Sequence, residues 1–111
     1  MTIRERIKQI ERALLPGNVP PETARKSLMT LTALLGPVLD EVRDAEREYR
    51  HVLAGKMTEA KTKAAAEVQA MTTAEYDRYR VAQDADDLVR QMIVTCRRYL
   101  TSIDEEMKLQ R

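Results

Sequence analysis

Ala24, Leu28, Leu31, Leu35, Val38, Val42, Ala45, Tyr49 and Val52 repeat at alternating spacings of four and three. No other feature constrains the chain as tightly. That spacing keeps one row of apolar side chains on a single side of an α-helix, and β-structure, whose side chains alternate every two residues, cannot satisfy it. Gly36-Pro37 interrupts the row without changing its phase. Proline lacks the amide that bonds back one turn, so the pair predicts a kinked helix, or two helices with Pro37 in the first turn of the second, and not a reversal of direction.

The flanking segments extend the helical reading. Thr2-Ile3-Arg4-Glu5 has the form of a capping box opening a helix to about Leu15, whose stripe is Ile3, Ile7, Ile10 and Leu14. Pro16-Gly17-Asn18-Val19-Pro20-Pro21 is the clearest loop. Beyond the long row, Met57, Ala60, Ala64, Val68 and Met71 keep helical spacing. Thr72-Thr73-Ala74-Glu75 then supplies a second capping pattern. From there Val81, Ala85, Leu88, Met92, Thr95 and Tyr99 form one stripe, with Val89, Ile93, Cys96, Leu100, Ile103 and Met107 beside it. A helix of that length outruns a single small domain, so the expected fold is all-α: three to four helices dominated by a long antiparallel, coiled-coil-like hairpin, with the first helix packing on it. The expected organisation is one helical domain over 1–111: an N-terminal helix 1–15, a Pro-rich loop 16–21, a kinked arm 22–71 and a long C-terminal helix 72–111. Absence of Phe and Trp and only three Gly in 111 residues agree with helices rather than sheets.

Charge narrows the function classes. Nineteen Lys and Arg stand against 18 Asp and Glu, so no whole-chain field draws the protein onto nucleic acid or anionic lipid. No apolar stretch approaches the roughly 20 residues of a spanning helix, and the first residues do not form a secretory signal. One cysteine, Cys96, excludes an intrachain disulfide and a multi-cysteine metal site, which suits the cytoplasm. The single histidine, His51, has no metal-spaced neighbours and reads as a surface or helix-end residue. Asp84, Asp86 and Asp87 lack the glycine and distal glutamate of a calcium loop and read as a solvated face. No phosphate-binding, dinucleotide, zinc-protease or serine-hydrolase motif occurs. The expectation is therefore a non-enzyme without cofactor or metal.

Two sets of residues remain as interaction candidates. The first is an apolar seam: Leu28, Leu31, Leu35, Val42, Tyr49, Leu88, Met92, Ile93, Tyr99 and Leu100. More apolar face than one short chain covers implies a dimer or higher oligomer. The second is basic: Arg4, Lys8 and Arg12 on the first helix, and Arg78 and Arg80 interleaved with Tyr76 and Tyr79, which are candidate contacts to nucleic acid or an acidic partner. The stretch from Ala45 to Met107, with Ala45 to Tyr49, Lys61-Thr62-Lys63-Ala64-Ala65 and Leu100-Thr101-Ser102, resembles small helical accessory proteins of tailed bacteriophages. That resemblance implies an accessory role in the host-cell cytoplasm and supplies no catalytic residues. The leading expectation is an adaptor, inhibitor or assembly factor that self-associates and binds a protein partner. A nucleic-acid-binding accessory protein of phage replication or recombination, and a virion structural or assembly component, are the alternatives.

Overall fold

A computed structural model of the chain describes residues 2–15 and 19–110. Its elements are α1 (Ile3–Leu14), α2 (Pro21–Glu59), α3 (Lys63–Ala70) and α4 (Ala74–Leu109). The fold is all-α: α2 and α4 pair as a long antiparallel hairpin and α1 packs on it.

Helix boundaries follow from local chemistry. Thr2 caps α1 through a complete capping box, its hydroxyl accepting from the Glu5 amide while the Thr2 amide donates to the Glu5 carboxylate. Pro21 opens α2, where a missing amide costs nothing. Pro16 to Asn18, the heart of the expected loop, lie outside the described residues. At Gly36-Pro37 the helix runs on without a break. Within the span read as one arm to residue 71, α2 stops at Glu59 and a separate helix follows. Thr62, in extended conformation, caps α3 by accepting from the Ala65 amide. The start of α4 falls one residue later than the Thr72-to-Glu75 pattern suggests. Thr73 is the cap, accepting from the Tyr76 amide, and the Thr72 hydroxyl donates back to the Gln69 carbonyl.

The chain divides into two compact units, one built from residues 1–37 with 87–111 and the other from 38–86. In the first, the core is Ile7 and Ile10 of α1, Val19, Ala24, Ser27, Leu31 and Leu34 leading into and along α2, and Val89, Met92, Ile93 and Cys96 of α4. The buried line on α2 therefore runs through Ser27 and Leu34, while Leu28 and Leu35 are half-buried on its shoulder. The Tyr99 hydroxyl donates to the Val19 carbonyl, tying α4 to the start of α2.

The second unit has a thinner core. Val38, Ala66, Ala70 and Ala82 are its buried apolar residues. Its centre is aromatic: the Tyr49 ring stacks on Tyr79 at 5.5 Å between centroids and meets Tyr76 tilted at 5.4 Å. Such pairs add about 0.5–1.5 kcal/mol beyond area burial. An Arg78–Glu48 ion pair of 3.1 Å joins the same stretches of α2 and α4.

Candidate interaction surfaces

Among the apolar seam residues, Leu31, Met92 and Ile93 are buried, whereas Leu28, Leu35, Val42, Tyr49, Leu88, Tyr99 and Leu100 are half-buried. Three of the ten are thus interior, and the other seven keep part of their surface in solvent. Val81, expected in the buried stripe of the last helix, is exposed, and its neighbour Ala82 takes the interior position. Thr95 and Met107 are exposed as well.

Exposed large apolar residues occur in both units, Leu15, Met29, Val94 and Leu109 in the first and Met57, Val68 and Met71 in the second. In α3, Ala66 and Ala70 are fully buried while Val68 is 65% and Met71 49% exposed. Helical spacing places Ala64, Val68 and Met71 on one stripe, and that stripe faces solvent instead of continuing the apolar row from Met57 as the sequence suggests. Small side chains face in because they let α3 lie close to the tyrosine cluster: Glu67 is near enough for its charge to act on Tyr49. Burial, and then the negative charges of Tyr76, Glu67 and Tyr79, push the Tyr49 phenol above its ordinary 10.0. Met57 on α2 is 46% exposed in the same unit.

The expected basic contacts fall in both units. Arg4, Lys8 and Arg12 lie along one exposed stripe of α1, in the first unit. Arg78 and Arg80 belong to the second, two residues apart and so on different sides of α4. Arg78 is also engaged, pairing with Glu48 and with Glu75 at 3.6 Å.

A shallow, open basic cleft that charge counting conceals lies on the outer face of α2 instead, between the side chains of Arg43, Glu46, Arg47, Arg50 and His51 of that one helix. Arg43, Arg47 and Arg50 are spaced four and three, one stripe on the helix; Arg50 is held by Glu46 at 2.5 Å. No carboxylate among the described residues pairs with Arg43 or Arg47. The signal was present in that spacing, but Asp40, Glu41, Asp44, Glu46 and Glu48 are interleaved with it and cancel it in any running sum.

One further cavity, of about 110 Å³, sits in the first unit between Leu14, Val19, Ala24, Thr95, Cys96 and Tyr99. It is well below the roughly 300–1,000 Å³ of ordinary ligand sites. Burial pushes the Cys96 thiol above its ordinary value, which favours the unreactive protonated form. Among the described residues no three His, Cys, Asp or Glu side chains converge as metal ligands, and no helix is long and apolar enough to cross a membrane. Comparison with protein-family models, with curated proteins and with solved structures found no match to this chain.

Proposed function

We propose that the chain is a non-enzymatic helical interaction protein that self-associates and binds a protein partner, acting as an adaptor, inhibitor or assembly factor of the bacteriophage accessory type in the host-cell cytoplasm. The observation that carries this reading is the inverted packing of α3, which buries alanines and leaves Val68 and Met71 in solvent. Covering an apolar side chain of this size contributes about 1.5–3 kcal/mol when complete. Two such side chains, half to two-thirds open, therefore offer an associating surface about 2–3 kcal/mol. The closest use of such a stripe is against the same stripe on a second copy, since one self-complementary patch closes a two-fold dimer.

Sedimentation equilibrium across a concentration series tests the proposal. The parent chain is expected to dimerise or assemble further by high micromolar concentration, and Val68→Glu with Met71→Glu is expected to be monomeric with unchanged helicity. A parent chain that is monomeric throughout refutes self-association.

A further inference from the structure

Arg43, Arg47 and Arg50 point outward from one stripe of α2 and stand about 10 Å apart end to end along the helix axis. Each guanidinium carries a planar fork of donors suited to carboxylate or phosphate oxygens. Glu46 occupies one fork, that of Arg50, and fixes its direction. Arg43 and Arg47 keep theirs, with His51 adding a further polar group at the end of the cleft. We propose that this cleft is the docking site for an acidic segment of a partner protein, a proposal that rests on the reading of the chain as an interaction protein and names the chemistry of its partner.

The shape of the surrounding charge selects an acidic segment over a nucleic acid. Residues 38–86 carry eight Lys and Arg against eleven Asp and Glu, so the unit as a whole is acidic. Glu41, Asp44 and Glu48 form a second stripe on α2, roughly a third of a turn around from the arginines. A duplex is a wide, uniformly charged rod, and it would bring phosphates against that acidic stripe as well as the basic one. A single extended peptide has no such breadth. Its alternate side chains fall on one side about 6.6 Å apart, close to the rise of about 6 Å from Arg43 to Arg47. Carboxylates at alternate positions of an extended segment laid along the helix therefore meet Arg43 and Arg47 in turn. The acidic stripe alongside then rejects a misplaced acidic segment by like-charge repulsion.

The test uses the full chain and fluorescence anisotropy at low ionic strength with a labelled peptide alternating glutamate and alanine, its glutamine counterpart, and a short DNA duplex. The glutamate peptide is expected to bind and the glutamine peptide not to, with affinity falling as salt is added. Arg43→Glu with Arg47→Glu should weaken binding at least about tenfold, and Arg43→Gln with Arg47→Gln, which leaves no reversed charge to disturb the fold, should do the same. Arg97→Glu with Arg98→Glu, an equal charge change on exposed positions of α4, should leave binding within about twofold. Failure of the glutamate peptide to bind, or equal losses from both pairs of glutamate substitutions, overturns the proposal. So does a duplex that binds more tightly than the peptide and is lost with Arg43 and Arg47, which would assign the cleft to phosphates. Sedimentation of the same arginine variants keeps this outcome separate from self-association, which is expected to survive them.

Discussion

Leu31 and Leu35 are one helical turn apart and belong to the same apolar row, yet the fold uses them differently. Leu31 is 0% exposed in the first unit and Leu35 only half-buried. Truncating a fully buried leucine to alanine removes its transfer free energy and leaves a cavity, which together cost about 2–5 kcal/mol. At Leu35 solvent already reaches the side chain, so about half the transfer term is lost, water fills the space, and the cost falls to about 1–1.5 kcal/mol. For a chain of this length, 1 kcal/mol corresponds to about 4 °C in Tm. Leu31→Ala should thus lower Tm by about 12 °C and Leu35→Ala by about 5 °C. Both belong in thermal and urea melts at one fixed protein concentration, because association makes stability concentration-dependent. Equal losses at the two positions, or a greater loss at Leu35, would refute the assignment of the α2 interior line to Ala24, Ser27, Leu31, Leu34 and Val38.

Three other outcomes are expected. Cys96 should react with a thiol reagent far more slowly in the native protein than in urea at the same pH, since burial both shields the sulfur and keeps it protonated. Tyr49 has a raised native pKa, so the unfolded state releases that proton first. Its contribution is complete below the ordinary phenol value and is lost as pH rises through the native one; Tyr49→Phe should melt with a shallower fall in stability on the alkaline side than the parent. Gly55 lies inside α2 with open space where a Cβ would sit, so Gly55→Ala should stabilise the chain by about 0.5–1 kcal/mol in urea melts, whereas Gly36→Ala should not, because its Cβ would crowd the Pro37 ring in the helical conformation.

Much of the fold is legible in the sequence because its signals are local. The Thr2 to Glu5 box sets the start of α1, and the spacing of Ile7 and Ile10 sets its inner face without reference to any other residue. The interior line of α2 is harder. The apolar band is wide enough for two registers, 24-28-31-35-38 and 24-27-31-34-38, and the polarity of Ser27 argues for the wrong one until the depth of each position is known. Orientation of α3 depends on alanines whose small size, not their hydrophobicity, brings the helix close to the tyrosines. A hydrophobic pattern therefore points its larger residues inward and is mistaken. The arginine cleft is illegible to a charge sum, because Glu41, Asp44 and Glu48, close by in the chain, lie on another side of the helix.

The tie between Tyr99 and Val19 spans 80 residues, while Tyr49 meets Tyr76 and Tyr79 across a far shorter stretch. Closing the longer loop costs about 1 kcal/mol more in chain entropy. Order of synthesis adds to that difference. Everything the 38–86 unit needs has been synthesised before residue 87 is added, whereas Ile7, Ile10, Ala24 and Leu31 wait for Val89, Ile93 and Cys96. The nascent chain must therefore carry the apolar sides of α1 and early α2 uncovered until Val89 to Cys96 have cleared the ribosome. That interval is the stage at which this protein is most open to capture by a chaperone or to pairing with a neighbouring nascent copy.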